Sequence, residues 1–398
     1  MKRVGFLTSG GDCQALNATM RGVAKGLYQI YQDEVEIIGF EDGYKGLMYA
    51  NYRMMKRSDF SGILTKGGTM LGTSRQPFKM MRVPDENGLD KVELMKHTYY
   101  KLKLDALVVL GGNGSQKTAN LLSKEGLNVV GLPKTIDNDL AATDHTPGYG
   151  SAAKYIGSIT KEVIRDGLVY DQQNVTILEI MGRNAGWLTG AAALAKCEDC
   201  EGPDMIFLPE VTFDVDEFMK KVAELHKKKK SVVVAVSEGV KTADGRYVCE
   251  LTDGIDFVDA FGHKQLTGTA RFLAEKINRE VGCKTRAIEF NSLQRCASHI
   301  VSRVDITEAY QVGGAAVKEA FEGETGKMII LKRVSDDPYI CVTDIYDVHK
   351  VANVEKKVPR NWINEAGDYI RPLIQAELTP IMTDGLPRHL YYTDVEKK

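Results

Sequence analysis

The chain has 398 residues, of which 43% are hydrophobic and 27% charged, and its formal net charge is −2. That length gives two or three packed domains or one large α/β body, and the composition is that of a water-soluble globular enzyme. Near-neutral charge excludes an electrostatic case for nucleic-acid binding, and no apolar run reaches membrane-spanning length: the longest candidate, residues 185–195, is short and interrupted by glycine.

Strands and helices are expected to alternate. Residues 4–7 form an apolar run that ends at Gly10 and Gly11, and residues 15–30 carry Leu16, Met20, Val23, Leu27 and Ile30 at helical spacing. Residues 35–40 read as a second strand. Residues 106–110 and 129–132 are short, wholly apolar runs of the kind buried in parallel sheets, joined by a helix over residues 116–124. Residues 175–180, 205–208 and 232–236 repeat the pattern with helices between them. The alternation predicts a doubly wound α/β fold, whose ligands bind at the carboxyl ends of the strands. The Lys227-Lys228-Lys229-Lys230 run reads as a solvated helix end or as an anion site. Seven scattered cysteines fit reduced thiols in the cytoplasm, and the N-terminus runs straight into a strand with no leader-like segment. Cys197 and Cys200 make a lone CxxC, and no second pair at zinc spacing follows it.

The polar loops at the strand ends carry the chemistry. Pro133-Lys134-Thr135-Ile136-Asp137-Asn138-Asp139 places two carboxylates one residue apart, beside a hydroxyl, an amide and one cation. Such a pair divides labour: one acid takes a proton, the other holds a hydrated Mg2+. Gly111-Gly112-Asn113-Gly114-Ser115 closes the preceding strand with small residues that leave room for phosphate. Thr8-Ser9-Gly10-Gly11-Asp12 closes the first, with glycine where a backbone approaches an anion closely. Any one of these glycine turns also occurs as a tight turn without a ligand.

Taken in order, these motifs resemble the phosphofructokinase family, and more pieces match: Asp42-Gly43-Tyr44-Lys45-Gly46-Leu47, residues 67–75 ending in Arg75, Glu179-Ile180-Met181-Gly182-Arg183, Ser237-Glu238-Gly239 and Gln294-Arg295. The match runs from about residue 3 to about residue 330. The resemblance implies two Rossmann-like lobes with the active site in the cleft between them. Residues 1–148 with about 294–342 would form the phosphoryl-donor lobe and 149–293 the fructose 6-phosphate lobe, with 343–398 an extension packed on the body. It implies the glycolytic reaction, transfer from ATP to the 1-hydroxyl of fructose 6-phosphate, in a cytoplasmic homodimer or homotetramer with sites shared between subunits.

Residue by residue, the resemblance implies Asp137 as general base, with Thr135 and Arg183 beside it in catalysis. It gives Gly11, Tyr44, Arg75, Gly112, Asn113, Gly114 and Ser115 to the donor. Asp139 and Asn113 go to the metal, although position 113 is usually Asp. Thr135, Ile136, Asp137, Met181, Gly182, Arg183, Glu238, Arg286, Ser292 and Arg295 go to the sugar phosphate, Arg286 serving a neighbouring subunit. Asn174 stands where an Arg is usual, and Ser292 where His is common. In the family, Gly at the positions of Gly114 and Lys134 marks ATP users, whereas Asp followed by Lys marks pyrophosphate users. This chain is mixed, and Gly114 weighs more because an acid there would crowd and repel an inner phosphate. A reversible, pyrophosphate-dependent phosphotransferase stays open as the alternative. A kinase resembling NAD and lipid kinases would lack Thr135-Ile136-Asp137-Asn138-Asp139. A non-catalytic sugar-phosphate sensor, suggested by Asn113, Asn174 and Ser292, sits badly with intact Asp137, Asp139, Thr135 and Arg183.

Overall fold

The computed structural model describes residues 1–74, 76–251, 267–351, 354–370 and 381. In chain order they form β1 (Lys2–Ser9), α1 (Leu16–Tyr31), β2 (Val35–Phe40), α2 (Tyr44–Tyr49), β3 (Tyr52–Met55), α3 (Lys91–Lys101), β4 (Ala106–Gly111), α4 (Asn113–Lys124), β5 (Val129–Pro133) and α5 (Tyr149–Leu168). There follow β6 (Asn174–Ile180), α6 (Trp187–Gly190), β7 (Met205–Phe207), α7 (Val215–Lys228), β8 (Ser231–Ser237), α8 (Thr269–Val281), β9 (Lys284–Glu289), α9 (Leu293–Cys296), α10 (Arg303–Glu322), β10 (Lys327–Asp336), β11 (Tyr339–Asp347) and α11 (Val348–Val351). No helix among the described residues is long and apolar enough to cross a membrane.

Contacts divide the chain into two units: Met1–Ser151 with Arg295–Lys356, and Ala152–Gln294 with Lys357–Lys398. The first holds a sheet ordered β11-β10-β5-β4-β1-β2-β3, parallel from β10 through β5, β4 and β1 to β2, with antiparallel β3 and β11 at its edges. Strands β4 and β5 are buried at every residue, as wholly apolar runs covered on both faces must be. Between β1 and β4 the winding reverses direction, so their carboxyl ends open a crevice. The second unit holds a parallel sheet ordered β7-β8-β6-β9, with β6 and β8 fully buried. Its core gathers Val175, Ile177, Val232, Val234, Phe218 and Leu273.

The lysine run at 227–230 falls at the end of α7, where His226, Lys227 and Lys228 complement the negative pole of the helix. Residues 357–370 pack on the second unit. Trp362 meets Trp187 edge-on at 5.6 Å between ring centres, and Asp368 pairs with Lys221 at 2.7 Å. Leu373, Ile374 and Leu378, apolar residues expected to pack here, lie outside the described residues.

Within the first unit α1 crosses α10 at backbone distance. A Cβ on Gly22 would stand 2.1 Å from the Tyr310 carbonyl oxygen, and one on Gly313 would stand 2.1 Å from that of Thr19. Neither neighbour is a side chain able to swing aside. Gly22→Ala and Gly313→Ala should therefore each force the helices apart and cost about 1–3 kcal/mol. Urea unfolding should show a lower midpoint at unchanged slope. A variant with the wild-type midpoint would mean that the crossing separates without cost.

Candidate functional site

In the first unit three strand-end turns converge. The Gly10-Gly11 turn follows β1, the Gly111-Gly112 turn leads from β4 into α4, and Lys134 follows β5. A Cβ on Gly10 would lie 3.6 Å from Lys134 Nζ and 3.8 Å from Ser115 Oγ; one on Gly112 would lie 3.4 Å from the Lys134 carbonyl oxygen. Lys134 is buried, and its ammonium donates to the Gly11 carbonyl. Burial pushes its pKa down, against the pull of Cys13, Asp12 and Asp137. Arg295 comes to the same turn: its Nη1 would be 3.6 Å from a Cβ on Gly11.

Helix α4 starts here with Gly112 as its cap residue, no side chain on its first N–H groups and no acid in its first turn. Those amides, at the positive end of the dipole, suit an anion. Two glycines of the turn differ. A Cβ on Gly111 would sit 2.3 Å from the Cβ of Ser115, so packing requires the glycine; one on Gly114 would meet nothing within 4 Å. Tyr44, expected at the donor, is buried, and its hydroxyl donates to the Ser115 carbonyl at 2.8 Å. It props the turn from within the core. Residues 69–73 are tied to the turn between β1 and α1: Thr73 Oγ1 donates to the Gly10 carbonyl at 2.6 Å and Thr69 N to Asp12 Oδ1 at 3.1 Å. Arg75 lies outside the described residues.

The acidic loop after β5 is held by its own polar groups. Asp137 N donates to Thr135 Oγ1 at 3.1 Å, and Thr146 Oγ1 donates to the Thr135 carbonyl at 2.7 Å. Asn138 is buried at positive φ (53°), a conformation Asn tolerates, and its Oδ1 accepts from Thr146 N at 3.1 Å. Ile136 is buried beneath the loop. Burial, then the charge of Asp137, raises the Asp139 carboxyl to about 7. Asn113 Oδ1 is buried with no hydrogen-bond partner. A desolvated acid and an orphaned amide oxygen fit an oxygen-liganded Mg2+. Among the described residues no trio of His, Cys, Asp or Glu is placed to hold a metal by itself.

Behind this loop His145 is buried between two acids, Asp144 on Nδ1 at 2.7 Å and Glu308 on Nε2 at 2.6 Å. Arg333 donates to Asp144 at 3.0 Å and Tyr339 to Glu308 at 2.6 Å. Burial pulls the His145 pKa down, but the two carboxylates outweigh it and hold it at about 9.

In the second unit Met181, Gly182 and Arg183 leave the end of β6. Gly182 has φ of +137°, and a Cβ on Gly239 would lie 2.0 Å from the Arg183 carbonyl oxygen, so the two loops touch through glycine. Glu238 Oε1 accepts from Gly182 N at 3.4 Å, and Gln294 Oε1 accepts from Met181 N at 3.3 Å. Met181 and Glu238 line a small pocket with Glu179, Thr267, Glu289 and Asn291. Burial raises Glu179 to about 7; its carboxylate accepts from Ala270 N at 2.8 Å and so caps α8. Arg286, on β9, pairs with Asp166 at 2.7 Å and lies over the Tyr170 ring at 4.8 Å. Ser292 is exposed in the turn after β9. Asn174 is buried at the start of β6, its amide bonded to the Gly167 carbonyl and to Ser231.

Two α/β sheets, parallel but for the edge strands β3 and β11, with glycine turns, a helix N-terminus and an acidic loop at the strand ends, have the build of a phosphoryl-transfer enzyme of the α/β class. The family model for phosphofructokinase matches residues 3–320. The chain is 34% identical over 412 residues to the pyrophosphate–fructose 6-phosphate 1-phosphotransferase of Xanthomonas campestris pv. campestris, covering 98% of this chain and 96% of that one. It is 36% identical over 368 residues to ATP-dependent 6-phosphofructokinase 2 of Streptomyces coelicolor, covering 92% and 98%. A solved pyrophosphate-dependent phosphofructokinase from Marinobacter aquaeolei superposes with a TM-score of 0.83 at 28% identity, over 98% of this chain and 95% of that one. The chain belongs to the phosphofructokinase family and is a phosphofructokinase enzyme. Its relatives divide between the two phosphoryl donors.

The His145 cluster gives a pH test of how firmly the acidic loop is backed. A histidine raised from 6.5 to about 9 on folding contributes stability that is fully present below pH 6.5 and lost as pH rises through 9. The contribution is roughly 3 kcal/mol. Urea unfolding between pH 6.5 and 9.5 should show wild type losing that much more than His145→Gln, which cannot titrate; groups common to both cancel. Equal slopes would mean that His145 is neutral in the folded protein.

Proposed function

We propose that this phosphofructokinase transfers the γ-phosphoryl group of ATP to the 1-hydroxyl of fructose 6-phosphate, with Mg2+, giving fructose 1,6-bisphosphate in the cytoplasm. The observation that carries the choice of donor is the open space at Gly114. Packing demands a glycine at Gly111 but not at Gly114, where a side chain would stand clear of the protein. A glycine in the first turn of α4 leaves room among the strand-end turns for something from outside the chain. An inner phosphate of a nucleotide, seated on the first amides of α4, is such an occupant.

On this reading the first unit takes the donor and the second the sugar phosphate. Gly11, Gly112, Asn113, Gly114 and Ser115 line the phosphate chain, and the Lys134 ammonium neutralises the leaving phosphate. Asp139 and Asn113 Oδ1 would hold the Mg2+, which when bound spreads the charge of the transferring group. Asp137 accepts the proton of the 1-hydroxyl, with its loop set by the Thr135 hydroxyl. Met181, Gly182, Arg183, Glu238, Ser292 and Arg295 serve the sugar phosphate, with the planar forks of the arginines suited to phosphate oxygens. Arg286 serves the site of a neighbouring subunit in a homodimer or homotetramer. A second reading, with pyrophosphate as donor, is favoured by Lys134, a buried cation at the turn where a small anion would bind.

Two variants test these roles. Asp137→Asn keeps the shape of the side chain and removes the base, so kcat should fall by about 10²–10⁴ while substrate affinity stays near wild type. Retention of more than about a tenth of kcat would remove Asp137 from the role. Gly114→Asp should fold, since its side chain enters open space at a helix N-terminus where an acid is favourable. Against an inner phosphate about 4 Å away it adds a repulsion of about 4 kcal/mol at an effective dielectric near 20, close to three decades in affinity. ATP-dependent rates with fructose 6-phosphate should collapse accordingly, with pyrophosphate activity kept or gained. Wild type that prefers pyrophosphate in the same assay would overturn the donor and establish the second reading.

A further inference from the structure

Residues 354–356 lie more than two hundred positions from Asn113 and Asp139 in sequence, yet they grip both of these residues assigned to the metal. Leu140 pairs with Glu355 in an antiparallel bridge, and Lys356 N donates to the Asp139 carbonyl at 2.8 Å. The Lys356 ammonium reaches the far end of the same loop, donating to the carbonyls of Thr143, at 3.1 Å, and Asp144. One residue thus holds the loop that begins at Asp139 by its main chain at one end and its side chain at the other. The third contact is to α4: Asn113 Nδ2 donates to the Val354 carbonyl at 3.4 Å. That bond settles which way the amide turns, since only Nδ2 can donate to a carbonyl. The Asn113 oxygen is left buried, without a partner.

We propose that residues 354–356, anchored by Lys356, are a positioning strap for the metal-bearing end of the donor site, setting the backbone of Asp139 and the amide orientation of Asn113. The strap explains how an amide stands in for the family's acid at position 113: with Nδ2 tied to the Val354 carbonyl, the unpartnered Oδ1 is fixed as the free acceptor, so the neutral ligand loses no affinity to amide rotation. Lys356 touches no donor or sugar in this account and acts through Asp139 and Asn113. The proposal rests on the metal reading above.

The test separates metal from nucleotide. Lys356→Met and wild type are titrated with Mn2+·ATP and with metal-free ATP in EDTA, both without fructose 6-phosphate, by calorimetry. Loss of a group that orients metal ligands typically costs about 10–100-fold in metal affinity or activity. The variant should bind Mn2+·ATP at least about 10-fold more weakly and metal-free ATP within about twofold of wild type, with kcat reduced by a similar factor and KM for fructose 6-phosphate unchanged. Equal losses for both forms of ATP, or none, would overturn the strap. If Lys356→Met lacks a cooperative melt, Lys356→Gln, which keeps two neutral donors, is read in its place against the same criteria. Wild type that binds no Mn2+·ATP refutes the ATP reading alone; the same pair of titrations with Mn2+·pyrophosphate and free pyrophosphate then decides the strap.

Discussion

The burial of one ammonium group organises the carboxyl end of the first sheet. Lys134 follows β5, and taking its charge out of water is costly unless polar partners replace the water. It finds one in the Gly11 carbonyl at the end of β1, with Asp12 and Asp137 close enough to favour its charge. The bond ties the turns after β1 and β5 together, and the turn after β4 packs against both. An anion arriving there meets a cation that is already desolvated and fixed, so its attraction is not spent on stripping water or ordering a flexible chain. The first of the two glycines in that turn, Gly10, stands at φ of +88°, a conformation that favours glycine.

Glycine does three different jobs in this chain, and only geometry tells them apart. Gly22 and Gly313 let two helices touch at their backbones, and Gly239 lets one strand-end loop lie on another. Gly148 has φ of +105° and a Cβ there would also strike Cys13. These positions are set by packing or by conformation. Gly114 has neither reason, as is also true of Gly314 within α10; its place among the converging strand-end turns is what makes it a candidate for contact with something outside the chain. In the sequence, Gly111 and Gly114 belong to one motif and look alike; in the structure, they answer to different constraints.

Much of this architecture is legible in the sequence because buried parallel strands are written in the apolar runs at 106–110, 129–132, 175–180 and 232–236, and each recurs as a strand. The same rule passes over β9 and β11, whose residues are partly exposed and whose runs are broken by Lys284, Arg286 and Asp344. In β10 it would reach only the buried run Met328–Leu331, since Lys332 and Arg333 begin a partly exposed second half. The strand-end turns were legible as motifs, and the structure brings those of Gly11, Gly112, Ser115 and Lys134 together. Tyr44 shows where motif reading stops. Its position in a family motif says that it matters near the donor turn, and only burial shows that it works from beneath. Lys356 carries no local signal at all: it is one lysine in a polar stretch, and its partners at Asp139, Thr143 and Asp144 are brought to it by the strands β10 and β11.

The charge balance of the acidic loop bears on the order of events on the proposed reading. Asp137 and Asp139 are one residue apart, and burial together with the neighbouring charge already opposes full ionisation of Asp139 near neutral pH. Among the described residues no trio of His, Cys, Asp or Glu is placed to hold a metal by itself, although Glu355 is near enough to add its charge to that of Asp137, and Asn113 would contribute a neutral oxygen. Mg2+ gives up its water reluctantly and is usually held by one or two carboxylates together with substrate phosphates. A site built on Asp139 would therefore bind the cation poorly by itself. The phosphates of the donor would supply the missing negative charge, and metal and donor would enter as one complex. Once seated, the cation would relieve the repulsion between the two acids and favour the ionised form of Asp137, the form that accepts a proton. On that reading donor binding and activation of the base would be two consequences of one electrostatic event.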